Sequence, residues 1–354
     1  MKILFFIVHP AKFWLFKYVT EELRKKGHTV DWAITNKDVL VNLLEREGWE
    51  YTNIFPEGRR KKYGFPLLSL IVNTWVTLVR LFKYMKGKKY DLVISGDIIT
   101  FVAWLKGIKS IVPIDDSFDV VPEYSVSWMW AHKLVAPSCT NLGPWNFKKL
   151  GYKSNHEWAY INPKYFIPNN NIVRKFHRSN KPYYIIRLVS LTASHDVGKR
   201  GLSDSNVMKL IKLLEQYGKV YINAEIGKTL PKKLEKYRLA LDPYDMHHAM
   251  YYSSMFIGDS QTMASEAGLM GVPTFRCNDF VGRVAYLEEE QEYGLIYNYK
   301  PEQFNDMIKS IKKVLEMKDY KSEWKKRLDN FAKDHIDTTE FYVKLIESYD
   351  KSKR

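Results

Sequence analysis

The sequence predicts an α/β protein of two domains, each a parallel sheet with helices on its faces. Three observations carry this. Short apolar runs alternate with helical stretches over residues 1–160 and again from residue 183 onward, the pattern of repeated strand-helix-strand units. The segment between the two series is punctuated by Pro and Asn and has no periodicity, which marks a linker. A chain of 354 residues also exceeds what one ordinary core encloses. The domains are expected at 1–165 and 183–330, joined by a linker at 166–182 and followed by a helical segment at 331–354.

The elements follow in order. KILFFIV, residues 2–8, is the first buried strand; His9, Pro10 and Lys12 end its apolar run before it reaches the length of a signal peptide or a membrane span. WLFKYVTEELRKKG, 14–27, is the first helix. Gly27 after the Lys-rich last turn stops it, and HTVDWAIT follows directly as a strand. A helix over 66–86, the strand DLVISG at 91–96 and the strand SIVPID at 110–115 continue the series. In the second half, strands are expected near 183–190, 219–223, 254–258, 272–276 and 295–298, and a helix from Ser260 to Met270. Residues 301–350 read as strongly helical and highly charged.

Composition excludes several classes of function. Cys139 and Cys277 are the only cysteines and lie far apart, so the sequence implies neither a disulfide framework nor a zinc cluster. No G-x-G-x-x-G turn follows the first strand, which argues against a dinucleotide dehydrogenase. The formal charge is +15, and residues 57–109 hold eleven Lys or Arg against three acids. Basic charge with aromatics permits nucleic-acid binding, but no nucleic-acid motif is present. The apolar helix at 66–86, flanked by these cations, is open to two readings: a membrane-surface helix, or a buried helix with solvated lysines.

Residues 258–283, GDSQTMASEAGLMGVPTFRCNDFVGR, form a strand-helix-strand unit with hydroxyls at the mouth of the helix. Ser260, Gln261, Thr262 and Met263 span the cap and first turn. Free N–H groups and the positive end of the dipole suit a diphosphate there, and Glu266, further in, can accept hydrogen bonds from ribose hydroxyls. The same spacing also fits an ordinary capped helix. In 183–204, Arg187 and Lys199 can neutralise phosphate, Gly201 permits close backbone approach, and Ser194 and His195 lie in the loop between. Asp196 adjoins His195 on an extended chain and so points the other way.

These stretches, with DPYDMHHAMYYSSMFIGDSQTM at 242–263 and FVGRVAYLEEEQEYGLIYNY at 280–299, resemble the family called domain of unknown function 354. More distantly the chain resembles glycosyltransferases of the GT-B fold, two Rossmann-type domains with parallel sheets facing a cleft. The resemblance covers the C-terminal half closely and the N-terminal half loosely. It implies a last helix that packs back on the N-terminal domain and a nucleotide sugar bound by the C-terminal domain as substrate, with no bound cofactor; because Arg187, Lys199 and the helix at Ser260 can replace a metal ion, none is expected.

Further candidates lie elsewhere. His9, after the first strand, is placed to deprotonate an acceptor hydroxyl. Asp115, Asp116, Asp119 and Glu123 lie on or just beyond a strand end, with Asp116 the first choice of general base. Pro122 and Glu123 resemble in part the Pro-Glu motif of non-hydrolysing UDP-N-acetylglucosamine 2-epimerases, and His195 falls where those enzymes carry a histidine. VHPAKF stands in place of their arginine-bearing loop. His247 and His248 are adjacent on a helix, about 100° apart, and cannot form the i, i+4 pair of a zinc site. The turn Asn278-Asp279 lies where donor hydroxyls would be.

The expected activity is metal-independent transfer from a nucleotide-diphosphate sugar, UDP favoured, to a glycan or lipid-linked acceptor in bacterial or archaeal surface polysaccharide synthesis. A cytoplasmic protein, peripheral on the inner face of the plasma membrane through residues 66–86, fits that role. The alternatives are a 2-epimerase-like enzyme and a non-catalytic nucleotide-sugar or glycan-binding protein.

Overall fold

The computed structural model describes residues 1–37, 39–57, 66–190, 199–225 and 227–350, with the backbone alone for 66–70. The chain divides into two compact units, Met1–Tyr160 with Asp337–Arg354, and Ile161–Ile336. Through the first unit run β1 (Lys2–Ile7), α1 (Pro10–Lys25), β2 (Thr29–Thr35), α2 (Leu40–Arg46), β3 (Tyr51–Phe55), α3 (Pro66–Tyr84), β4 (Leu92–Ile94), α4 (Ile99–Leu105), β5 (Lys109–Pro113), α5 (Ser125–Trp130), β6 (Lys133–Pro137), β7 (Lys149–Tyr152) and α6 (Trp158–Ile161), which crosses the boundary. The second unit holds α7 (Asn170–Phe176), β8 (Tyr183–Leu188), α8 (Asp204–Leu214), β9 (Lys219–Ala224), α9 (Lys232–Glu235), α10 (Met246–Tyr252), β10 (Met255–Gly258), α11 (Gln261–Leu269), β11 (Thr274–Cys277), α12 (Ala285–Glu292), β12 (Ile296–Tyr299), α13 (Phe304–Glu316) and α14 (Tyr320–Asp334). The last helix, α15 (Thr338–Glu347), belongs to the first unit.

Both sheets are wholly parallel. The first has the order β3-β2-β1-β4-β5-β6-β7 and the second β12-β11-β10-β8-β9. In the second sheet β8 has its successor β9 on one side and β10 on the other, so the chain reverses its direction of winding between β8 and β10. Ligands of open parallel sheets bind outside the carboxyl ends of strands at such a switch point. In the first sheet the switch lies between β1 and β4.

Each β1 residue goes to one of two cores because side chains alternate across a strand. Leu4 and Phe6 join Leu81 of α3, Met85 just after it, and Val102 of α4. Phe5 faces the other way, with its ring 4.8 Å from Phe16 of α1 and 5.4 Å from Trp32 of β2. Gly27, at φ +83°, ends the turn after α1 in a conformation that L side chains rarely adopt. On this second face Tyr342 of α15 is fully buried, with its ring 5.2 Å from Phe16 and 5.8 Å from Tyr152.

The first sheet contains three strands beyond those expected, namely β3, β6 and β7. Segment 166–182 includes a helix, α7, whose Asn169 cap accepts a hydrogen bond from Asn171 N. The long C-terminal helical stretch is broken into α13, α14 and α15. Asp319 caps the second of these and Asp337 the third.

Truncating Tyr342 to Ala removes a fully enclosed ring and should lower stability by about 3–5 kcal/mol. Urea unfolding followed by tryptophan fluorescence checks this. An unchanged midpoint would show that α15 adds nothing to the first core.

Candidate functional site

In the second unit the carboxyl ends of three neighbouring strands converge on one residue. Asp259 follows β10 directly and is 2% exposed. Its Oδ1 accepts the N–H of Val189, just past β8, at 2.8 Å, and its Oδ2 accepts the N–H of Leu202 at 3.4 Å. Asn278, just past β11, donates from Nδ2 to the Asp259 carbonyl at 2.8 Å. Burial pushes the Asp259 carboxyl up to about 6, while these N–H bonds and Lys228 limit the rise. A Cβ at Gly201 would lie 2.4 Å from Asp259 Oδ2, so only glycine fits there without displacing the carboxylate.

The next residue, Ser260, caps α11 by accepting the Met263 N–H on its Oγ at 3.4 Å. Gln261, Thr262 and Met263 then form the first turn, beside the β8–β10 switch point. Arg187, the register partner of Gly258, donates from Nη1 to Asn223 Oδ1, and its Nε has no hydrogen-bond partner among the described residues. Burial lowers its guanidinium below its ordinary value, and Glu225, Asp259 and Glu266 act in the opposite direction.

Glu266 is buried on α11 and lies 3.0 Å from Nε2 of the equally buried His247 on α10. The two histidines of α10 thus diverge. His247 turns toward α11, while His248 accepts the Asn169 N–H at 3.2 Å and stacks on Phe166. Asn278 is buried and also accepts the Phe280 N–H at 3.0 Å, so its side chain closes its own turn. Asp279 is engaged by Arg200 through Nε and Nη2, both at 3.1 Å, and through the Arg200 N–H at 2.8 Å. Those bonds hold Asp279 below the usual carboxylate range. Lys199 Nζ lies 5.7 Å from the centre of the Phe280 ring. Ser194, His195 and Asp196 lie outside the described residues.

The first unit carries a separate cluster beyond β5. Lys12, in the first turn of α1, lies 3.0 Å from Asp115 Oδ1 and 3.0 Å from His156 Nδ1. His156 Nδ1 is 3.3 Å from Asp115 Oδ2, and its Nε2 is 3.5 Å from the Tyr342 hydroxyl. Burial alone would raise Asp115, but Lys12 and His156 outweigh it and hold this carboxyl well below its usual range. Asp116 moves the other way: burial, then the charge of Asp115, push it up to about 7. Burial and Lys12 lower His156 to about 4. Neighbouring carboxyls that titrate far apart can play base and acid at one pH.

His9 caps α1, and its Nδ1 accepts the Ala11 N–H at 3.2 Å. Glu123 lies in a short exposed turn at Pro122–Tyr124. Lys12 and His156 were not candidates in the sequence. They are 144 positions apart, and only the packing of α1 beside the segment after β7 joins them. No group of three or more His, Cys, Asp or Glu among the described residues is arranged to hold a metal ion.

No family model matches the chain, and no curated protein matches it in sequence. Solved structures do match over nearly its whole length. UDP-GlcNAc 2-epimerase from Neisseria meningitidis bound to UDP-GlcNAc superposes with a TM-score of 0.65 at 13% identity, covering 99% of both chains. The Methanocaldococcus jannaschii UDP-GlcNAc 2-epimerase in complex with UDP-GlcNAc and UDP gives 0.66 at 15% identity, covering 98% of this chain and 100% of that one. A spinosyn forosaminyltransferase gives 0.59 at 14% identity, covering 99% of both. The likeness establishes a GT-B-like fold of two parallel-sheet α/β units, the fold shared by those epimerases and glycosyltransferases.

Replacing Gly201 with Ala should push the Asp259 carboxylate off its N–H donors and cost about 1–3 kcal/mol. A thermal melt checks this, and an unaltered melting temperature would show that the loop accommodates a side chain.

Proposed function

We propose that the chain is an enzyme of nucleotide-diphosphate sugars, UDP-sugars favoured, and that it transfers the sugar to a hydroxyl of a glycan or lipid-linked acceptor without a metal ion. The observation that carries this is the capped N-terminus of α11 at the switch point of the second sheet, with Arg187 on the neighbouring strand. The position fits the diphosphate, because backbone N–H groups and a helix dipole stabilise negative charge. Neighbours of the same fold are solved with UDP-GlcNAc and UDP. Arg187, Lys199 and the first turn of α11 would stabilise the charge that develops on the leaving diphosphate. Glu266, held by His247, would meet the ribose hydroxyls. Asn278 and Asp279 would act by fixing the loop around the donor.

In the transfer, the acceptor oxygen bonds to the anomeric carbon as the bond from that carbon to the diphosphate oxygen breaks. The hydroxyl proton goes to Asp116, whose affinity for protons suits a base working near neutral pH. His9 is the second candidate for this proton, and His195 for an acid or phosphate donor. Direct attack inverts the anomeric centre. A place in surface polysaccharide synthesis at the cytoplasmic face, and membership of the domain of unknown function 354 family, rest on the resemblances in sequence.

A specific observation favours a second reading, UDP-sugar 2-epimerisation. Elimination and re-addition of the nucleotide need both a base and an acid, and the Asp115–Asp116 pair offers one carboxylate and one carboxylic acid at the same pH. Conversion of UDP-GlcNAc alone, with no acceptor, would decide for it. Tight binding with no turnover in the presence of any acceptor would decide for a binding protein.

The test is a thermal-shift screen against UDP-, GDP-, CMP- and dTDP-sugars with and without magnesium, since a ligand of the native state raises its stability. A metal-independent shift with one nucleotide, weakened in Glu266→Gln, is the expected result; no shift with any nucleotide would overturn the donor site. For the base, kcat/KM should rise with pH through about 7 as Asp116 loses its proton. Asp115→Asn removes the neighbouring negative charge that favours protonated Asp116, so the limb should move to lower pH. A limb that stays in place would exclude Asp116 as the titrating group.

A further inference from the structure

The outer side of the first unit carries an apolar face. Between residues 71 and 82 of α3, the exposed positions are Ile71, Trp75, Val79 and Phe82, and Trp75 is 67% exposed. Their spacing of four, four and three places them on one side of the helix. A second side, with Leu81 and, just past the helix, Met85, fills the core over β1 and β4. The helix is therefore apolar on both sides, and burial in its own unit accounts for one of them. α4 and α5 extend the outward face. Trp104 and Leu105 are exposed at the end of α4, as are Val126 and Met129 on α5. Trp104 and Trp130 pack with ring centroids 4.7 Å apart, which joins the two helices.

The charge around this face is mainly positive, the nearby acids being Glu57, paired with Arg80 of α3, Asp91, and Glu123 just before α5. The sequences of α3, α4 and α5 contain no Asp or Glu. Beyond the ends of α3 and α4 lies a groove of about 460 Å³ lined by Lys88, Lys89, Lys106 and Lys109 with Tyr90 and Tyr349, against one acid, Asp91, whose carboxylate accepts the Lys2 N–H. None of the described helices is long and apolar enough to cross a membrane. An apolar face of this size is more than scattered surface residues explain, and an apolar face edged by lysines is the chemistry of a surface that lies on anionic lipid. A second copy is the poorer occupant, because a symmetric contact would set the same lysines against themselves.

We propose that the face formed by α3, α4 and α5 docks the protein onto an anionic lipid bilayer, with the aromatic and aliphatic side chains entering the interface and the lysine groove meeting lipid phosphates. The proposal stands apart from the reaction assigned above, since none of these residues belongs to that machinery.

The experiment is flotation of the full chain with vesicles of phosphatidylcholine alone and of phosphatidylcholine mixed with phosphatidylglycerol. The chain should float with the mixed vesicles, and added salt should weaken the binding. The double variant Trp75→Glu with Val79→Glu, and the quadruple replacement of Lys88, Lys89, Lys106 and Lys109 by Ala, should each weaken it by roughly tenfold or more. Both change exposed positions, and circular dichroism confirms that they fold. Absence of flotation with anionic vesicles overturns the proposal, as does flotation unaffected by the double variant. Light scattering that shows a lipid-free dimer, dissociated by the double variant, would assign the face to a second copy and overturn it too. A nucleotide-induced thermal shift that persists in the double variant would separate failure here from failure of the donor site.

Discussion

The second unit is organised around one buried charge-bearing group, the Asp259 carboxyl. An acid removed from water is costly unless its oxygens accept hydrogen bonds. The donors here are backbone N–H groups of Val189 and Leu202, so the requirement of one side chain fixes both ends of the connection between β8 and α8. Asn278 then ties a second loop to the Asp259 carbonyl. Because Ser260 is the next residue, the same anchor fixes the start of α11. The position of the helix N-terminus is thus a consequence of satisfying Asp259.

The first unit meets the same problem with the opposite outcome. Asp115 also follows a parallel strand at its carboxyl end, but it is compensated by Lys12 and His156 rather than by neutral N–H groups. The Lys12 ammonium at 3.0 Å, with the His156 ring at 3.3 Å, lowers a carboxyl far more than backbone dipoles do. Asp115 therefore stays ionised while Asp259 is pushed up to about 6. The charge retained on Asp115 then raises its neighbour. Asp116 reaches about 7 through burial reinforced by a like charge, so its titration depends on Lys12 keeping Asp115 ionised.

What the sequence made legible follows the range of the interactions. The cap at Ser260 and the strand YYIIRL are local patterns, and both stand where expected. The strands YTNIF, KLVAP and KLGY were missed because each is four or five residues long and carries polar residues, Pro or Gly. Long-range pairings left no local trace. Lys12 meets His156 through the fold alone, and Glu266 meets His247 across two helices. Asp259 read only as the residue after a strand, although it organises the site. For α3 the sequence showed an apolar helix with flanking lysines, and only the packing distinguishes Leu81, which is buried, from Trp75 and Phe82, which are not.

That distinction bears on how the first unit can serve two purposes. In a parallel sheet every strand runs the same way, so the two ends of the sheet are chemically distinct. Lys109 opens β5 and Asp115 lies just beyond its other end, six residues on, a separation of roughly 20 Å at ordinary strand rise. The lysine groove and the acid pair therefore occupy opposite ends of one strand. Charge screening over that distance makes the direct influence of the lysines on Asp116 small at physiological ionic strength. Docking through the lysine end would leave the carboxyl end open to solvent and substrate. Parallel topology, set by the alternation of strand and helix along the chain, is what keeps the lysine groove and the proton-transferring pair from competing for the same ground.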